Sequence, residues 1–170
     1  MTRLRPVVMA DAERLGDWRR DPEAGGEFQW FGYMLGGDLK KRIEDGTVID
    51  RVDGGMLAIT NDEGQLVGDV SWTRRGYSPI AGSEAWNIGI VILTEHRGRG
   101  HGSAAQRLVA DYLFAHSPAN RVEATTDSAN VAEQRALEKA GFTREGVLRG
   151  AQFRGGRWND LAVYSKLRGE

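Results

Sequence analysis

Apolar residues along this chain recur at two spacings, every second residue and every third or fourth, and the switch between them outlines the elements. The opening RLRPVV is a short apolar run that predicts a first strand. Asp11 then predicts the N-cap of a helix that carries Ala12, Leu15 and Trp18 inward and ends before Asp21-Pro22. Residues 21–37, DPEAGGEFQWFGYMLGG, mix five glycines with four aromatics and predict a mobile loop, followed by a short helix from Asp38 to about Asp45. MLAITNDEGQLVGDVSWTR reads as two strands joined by a turn over Asn61-Asp62-Glu63-Gly64. After the polar stretch RGYSPIAGS, AWNIGIVIL is apolar on both alternating faces, the mark of a central strand covered on both sides. Ala105, Leu108, Val109, Tyr112 and Leu113 then recur at helical spacing, with an end near His116 and Pro118. RVEATT is a compact strand, and SANVAEQRALEKAGF is a helix with Lys139 in its last turn and Gly141 just beyond. The tail folds back as two strands about Gly155-Gly156. The order predicts a mixed α/β (α+β) chain: an antiparallel front half, then strand, helix, strand, helix and a closing hairpin.

Composition narrows the function classes. A length of 170 residues predicts one domain over 1–170, with no internal repeat. Twenty-three basic and 24 acidic residues, interspersed, give a net charge of -1 and no basic field to hold nucleic acid. The absence of cysteine excludes disulfides, thiolate metal sites and thiol nucleophiles, and fits a cytoplasmic location. Charge interrupts the N-terminus every few residues, so neither a signal peptide nor a membrane span of about 20 apolar residues is expected. The three histidines, 96, 101 and 116, lack the helical pairing of a metal site, and no metal is expected.

The chemistry concentrates in HRGRGHG, residues 96–102. A buried strand, a glycine-rich turn and an amphipathic helix in succession form a recurring anion site. Glycine lets backbone N–H groups approach an oxyanion, and the helix N-terminus adds partial positive charge. Arg97, Arg99 and His101 add donors, so the stretch predicts a phosphate or pyrophosphate cradle. A Walker loop is excluded, because no lysine stands in the required place. Gly100, Gly102 and Ala105 satisfy a dinucleotide fingerprint, with Glu123 placed as a ribose-binding acid. Its context is wrong: TEHR separates Leu93 from the first glycine, and over half the chain precedes it.

RGRGHG, from Arg97, resembles the Arg/Gln-x-x-Gly-x-Gly/Ala signature of the GNAT-superfamily N-acetyltransferases. The surrounding WNIGIVILTEHRGRGHGSAAQRLVADYLF is similar to that family's fourth strand, pyrophosphate loop and third helix, and NVAEQRALEKAGFTREGVLR is similar to its Asn block. FQWFG and NDLAVYSKL resemble the ribosomal-protein (Rim-type) branch. The resemblance implies a mixed, mostly antiparallel sheet of about seven strands, splayed between the fourth and fifth and flanked by about four helices. It also implies acetyl-CoA as cosubstrate and an acceptor that is a primary amine, either a protein N-terminus or a small molecule. The rival readings are a non-catalytic acyl-CoA sensor and, more remotely, a nicotinamide enzyme. A homodimer is compatible with the exposed apolar loops and with the branch.

Residue by residue, the resemblance implies that backbone groups of Val91, Ile92 and Leu93, opened by a bulge, align the pantetheine arm. Arg97, Gly98, Arg99, Gly100, His101, Gly102 and Ser103 hold the pyrophosphate, and Asn130 caps a helix and touches the arm. The proton route has several candidates. Asn87 stands where the branch often carries Glu, and Glu84 is the nearest carboxylate. Glu133 replaces the branch's Ser: raised by burial it could protonate the thiolate, or it could close a capping box with Asn130. Tyr164 is either a second acid or a core tyrosine, and Asp160 either orients the amine or closes a turn. Phe28, Trp30, Phe31 and Tyr33 are expected at the acceptor, by face contact with a cation or by apolar packing, with Trp72, Phe153 and Trp158 near them.

Overall fold

A computed structural model describes residues 1–33, 39–50, 52–80 and 82–170. The loop expected over residues 34–37 and a helix start at Asp38 lie outside the described residues. The elements run β1 (Arg3–Pro6), α1 (Met9–Arg20), α2 (Pro22–Gln29), α3 (Leu39–Glu44), β2 (Ile49–Asp50), β3 (Gly54–Thr60), β4 (Leu66–Gly76) and β5 (Glu84–Ile92). After a single 3-10 turn at Thr94–His96 come α4 (His101–His116), β6 (Arg121–Asp127), α5 (Val131–Lys139), β7 (Thr143–Arg154) and β8 (Arg157–Leu167).

The strands form one eight-stranded sheet in the order β1-β3-β4-β5-β6-β8-β7, with the two-residue β2 also paired to β3. Every pairing is antiparallel except β5 with β6. That pairing is confined to Trp86↔Val122 and Asn87↔Glu123. Beyond Asn87 the strands part, and the sheet opens into the V expected between these two. The expected bulge in the central strand is absent: β4 and β5 stay in unbroken register from Gly76↔Glu84 to Gly68↔Ile92. β5 simply keeps its partner β4 and leaves β6.

Alternation along β5 divides the molecule in two. Trp86, Ile88, Ile90 and Ile92 face the main core, where Ala105, Val109, Ala110 and Leu113 of α4 and Leu137 of α5 are buried. Val91 and Leu93 face the opposite side and pack with Leu15 and Trp18 of α1. Leu15, Val109 and Leu137 have no solvent exposure, and each contributes roughly 2–3 kcal/mol of burial.

Two expectations for the first helices are corrected. Asp11 is the third residue of α1 and not its N-cap; its carboxylate accepts from the Val8 N–H at 2.9 Å and pairs with Arg5. Burial raises this carboxyl, but the Arg5 and Val8 hydrogen bonds outweigh it and hold it below the ordinary carboxylate range. The glycine-rich stretch begins as a helix: Asp21 caps it by accepting from the Glu23 N–H at 2.9 Å, and Pro22 pre-sets its first turn. Gly26, at φ 60° and ψ -161°, breaks α2 in the middle.

Candidate active site

At the open end of the V, β5 runs into the 3-10 turn, the glycine loop and the N-terminus of α4. Gly98 and Gly100 have φ of 75° and 80°, a left-handed backbone that only glycine adopts without strain. Gly100 caps α4 with no side chain over the helix end, so the first-turn N–H groups of His101, Gly102 and Ser103 face outward as an anion cradle. A Cβ on Gly102 would stand 3.9 Å from Ile92 and 4.0 Å from Ala136, which makes this glycine part of a cleft wall. The cleft has a volume of about 480 Å³, is roofed by Gly25–Gln29 of α2, and carries His96, Arg97, His101, Arg135 and Lys139 along its rim. Arg135 and Lys139 have no ion-pair partner among the described residues. Free backbone amides, bare glycines and unpaired cations beside a strand edge fit the pyrophosphate and arm of a coenzyme A molecule.

Not every loop residue points there. Arg97 lines the cleft, but its guanidinium donates to the Ile92 carbonyl at 3.1 Å and to the Ala24 carbonyl at 3.0 Å, tying the loop to α2. His101 meets the Thr2 hydroxyl at 3.0 Å. Its pKa is lowered by burial and by neighbouring positive charges, which leaves the ring less able to hold a proton beside a phosphate. Arg99 is exposed outside the cleft wall. The Ser103 hydroxyl donates to the Gly100 carbonyl at 3.1 Å and firms the turn.

The strand edge differs from the expectation. The Leu93 N–H donates to the Val67 carbonyl at 2.9 Å. In an antiparallel ladder the paired residues alternate, so the backbone of Val91 and Leu93 is spent on β4. The groups turned toward the V belong to Ile88, Ile90 and Ile92. Gln29 of α2 already donates to the Ile90 carbonyl at 2.8 Å, the place a ligand amide would take.

Deeper in the V a smaller cavity, about 240 Å³, lies between Ile88–Ile90 and Ala124–Asp127, with Phe28 and Phe31 over it. Glu133 and Asn130 line both spaces. Asn130 is the cap of α5, accepting from the Glu133 N–H at 3.2 Å. Glu133 does not return the bond, because the Asn130 N–H donates to the Asp127 carbonyl at 2.8 Å. The capping box is therefore half built, and the Glu133 carboxyl turns inward to accept from Gln106, a buried amide on α4. Burial raises this carboxyl to about 7, against a small opposing effect of the Gln106 hydrogen bond. No cation faces it.

The remaining proton candidates lie elsewhere. Glu84 opens β5 at the closed end, six residues or about 20 Å of strand from Ile90, and binds the Gly82 N–H at 2.9 Å. Tyr164 is wholly buried in the core, and its hydroxyl meets Glu138 at 3.1 Å. Asp160 is exposed and accepts from the Gly150 N–H at 2.7 Å across the final hairpin. Asn87 is half-buried on the α1 side of β5, and its Oδ1 has no hydrogen-bond partner.

Among the aromatics, Phe28 and Phe31 line the inner cavity, and Trp30 and Phe31 line a second cleft on the α1 side. Tyr33 is 85% exposed and packs edge-on to Trp30, while Phe153 and Trp158 form an exposed pair near the tip of the last hairpin. Trp72 is core. Glu123, the residue a dinucleotide reading needs, is fully buried against Arg75 and Arg121, each at 3.0 Å, and Tyr77. It has nothing left for a ribose, and the nicotinamide reading falls.

Sequence reasoning missed Gln106, Gln29 and Asp69. Gln106 and Asp69 had a signal, a polar residue within an inward-facing apolar pattern; Gln29, in an irregular segment, had none.

A splayed mixed sheet with open helix-N-terminal amides at the mouth of the V and a buried carboxyl inside it is an arrangement that fits an acyl-coenzyme A transferase. The comparisons give the family. The Acetyltransferase (GNAT) domain matches residues 2–143, and the chain belongs to that family. It is 30% identical to "Probable N-acetyltransferase YjcK" of Bacillus subtilis (strain 168), over 96% of this chain and 92% of that one. Its fold superimposes with a TM-score of 0.79 on a spermidine N-acetyltransferase from Vibrio cholerae in complex with CoA and spermine, at 20% identity over 98% and 95% of the two chains. A ribosomal-protein-S5-alanine acetyltransferase from Vibrio fischeri gives 0.78 at 18% identity over 99% and 94%. The chain is thus an acetyltransferase with acetyl-CoA as its cosubstrate. No helix among the described residues is long and apolar enough to cross a membrane.

Proposed function

We propose that this enzyme acetylates a primary amine by direct attack on acetyl-CoA, with Glu133 managing the proton. The observation that carries the reading is a single carboxyl, raised to about 7 by burial, standing where the outer cleft meets the inner cavity. Acetyl-CoA, when bound, supplies an activated acyl carbon and a thiol leaving group. The N–H groups of Gly98–Ser103 hold its pyrophosphate, and the open edge of Ile88–Ile92 aligns its arm. Alignment of this kind supplies a large part of the rate by proximity alone. With Glu133 raised to about 7, both of its protonation states are accessible near neutral pH, the condition under which a carboxyl both donates to a departing sulfur and recovers its proton from the attacking amine through water. Gln106 fixes the carboxyl and so acts as a positioning residue. Asn87, an amide on the α1 side of β5, takes no proton. A cytoplasmic setting belongs to the same reading, supported by a sequence without cysteine.

Thermal unfolding with acetyl-CoA, coenzyme A, NAD and ATP in parallel tests the cofactor half. A ligand at a hundred times its Kd adds about 2.7 kcal/mol, so both coenzyme A species are expected to raise Tm and the other two to leave it. Amine-dependent thiol release tests the transfer half. A coenzyme A shift with no thiol release from any amine would replace the transfer reading with a sensor.

A further inference from the structure

The outer cleft has two walls of different chemistry. One is the glycine loop with the first turn of α4, whose backbone N–H groups are neutral donors. The side chains of this wall add little free charge: the Arg97 guanidinium is spent on two carbonyls, Arg99 lies outside the cleft, and burial and neighbouring positive charge lower the His101 pKa. The other wall is α5, which presents Arg135 and Lys139. The cations around the second cleft are matched by acids, Arg19 by Asp69 at 2.7 Å, Arg20 by Asp17 at 2.6 Å and Lys40 by Glu13 at 2.9 Å. Arg135 and Lys139 have neither an ion-pair nor a hydrogen-bond partner among the described residues. The acids of α5 do not serve them: Glu133 turns into the V to accept from Gln106, and Glu138 accepts from the Tyr164 hydroxyl at 3.1 Å.

Four residues apart, Arg135 and Lys139 share one helix face and repel each other. Lys139, in the last turn, is favoured by the helix dipole, but Arg135 is the fifth of nine residues and gains nothing from it. Their place along the cleft is ordered. Glu133 lines both the inner cavity and the outer cleft, whereas Arg135, Ala136 and Lys139 line only the outer one, so α5 leads outward from the carboxyl. At about 1.5 Å per residue, Lys139 lies about 9 Å beyond Glu133 along the helix axis. Midway, the two walls come close: a Cβ on Gly102 would stand 4.0 Å from that of Ala136. A molecule with its reacting end at Glu133 and its pyrophosphate on the α4 amides therefore passes between Gly102 and Ala136, and its remaining, outer end lies beside the cations of α5.

Resting on the coenzyme A reading above, we propose that Arg135 and Lys139 form a second anion site that takes the phosphate monoester on the ribose 3′ oxygen of coenzyme A, so that the enzyme selects the complete cofactor over its dephospho form. The chemistry of the two walls matches the two anions of the cofactor. The pyrophosphate, a diester, is suited to a row of backbone amides. The monoester carries about −1.5 to −2 charges near pH 7 and has three free oxygens, which suits the fork of an arginine with the point charge of a lysine.

The test compares the Kd of coenzyme A with that of dephospho-coenzyme A, two ligands that differ only in this phosphate, by calorimetric titration. The wild type is expected to favour coenzyme A by about tenfold at low ionic strength, the scale of two water-exposed charge pairs. The ratio is expected to fall toward one in 1 M salt, where the Debye length is about 3 Å. Arg135→Gln with Lys139→Gln is expected to bring the ratio near one by weakening coenzyme A alone; glutamine is a good helix former at an exposed position, so α5 is kept. Arg149→Gln, an exposed cation of β7 outside the cleft, is expected to leave the ratio unchanged. A wild-type ratio near one overturns the proposal. So does a double variant that weakens both ligands equally, since the cations then serve the pyrophosphate, or an Arg149 variant that lowers the ratio as much, since the preference then comes from overall charge. Equal binding of the two ligands removes the second anion site and leaves the cofactor standing; binding of neither removes both.

Discussion

Glu133→Gln separates what this carboxyl does for the fold from what it does for the reaction. The group rises from an ordinary 4.5 to about 7 because it is buried with only a neutral amide for company. Above 7 the folded protein must therefore hold an ionised carboxylate in a site that disfavours it. At 1.36 kcal/mol per pH unit, the rise corresponds to about 3 kcal/mol. Between pH 4.5 and 7 the native state binds a proton that the unfolded chain has released, so stability falls as pH rises through this window, and the loss is complete above it. Glutamine keeps the shape and the acceptor for Gln106 and never ionises. The variant is expected to exceed the wild type by less than about 1 kcal/mol at pH 5 and by about 3 kcal/mol at pH 8, a Tm difference at pH 8 on the order of 10 °C for a chain of this size.

Catalysis is expected to move the other way. Loss of a general acid–base group costs about 100-fold or more in kcat, whereas acetyl-CoA binding, carried by backbone groups, stays within a few-fold. Thermal unfolding from pH 5 to 9 and thiol-release kinetics at pH 7 read the two effects on the same samples. Parallel Tm curves for the two proteins across that range would refute the raised carboxyl. A variant with full kcat would remove Glu133 from the mechanism even if the stability effect held.

Two further substitutions test the cradle and the discarded acid. Gly100→Ala forces a Cβ onto a backbone at φ 80° with nothing within 4 Å to clash against; the strain, about 1–2 kcal/mol, is expected to rebuild the turn and abolish the Tm rise with acetyl-CoA, and an unchanged rise would mean that the loop does not hold the pyrophosphate. Tyr164→Phe removes the hydroxyl that donates to Glu138 at 3.1 Å and is expected to cost about 1 kcal/mol of stability with kcat within threefold of wild type, whereas a hundredfold fall would return Tyr164 to the chemistry.

What sequence conveys here follows from how local each feature is. α4 and α5 were legible because apolar spacing and end signals act within a few residues, and the glycine loop because a left-handed backbone at Gly98 and Gly100 admits little else. α2 also carried its signal, Asp21 as cap and Pro22 at the first turn, but the glycines and aromatics behind them outweighed it. Asp11 could be placed near the start of α1 but not within it, since an acid serves equally as N-cap or as third residue reaching back. The choice between Val91 and Ile90 as the open backbone depends on which strand β5 keeps beyond Asn87. Pairing of that kind is decided between segments far apart in the chain.

Glu133 and Asp69 lie at the far end of that scale. Each was visible as a letter, and neither as a buried acid, because burial is conferred by what packs over the residue: α4 with Gln106 in one case, α1 with Arg19 in the other. Each bears a desolvation cost that an apolar residue in its place would not. They stand on opposite faces of β5, Glu133 beside the inner cavity and Asp69 beside the second cleft, and Gly89 and Ile90 line both spaces.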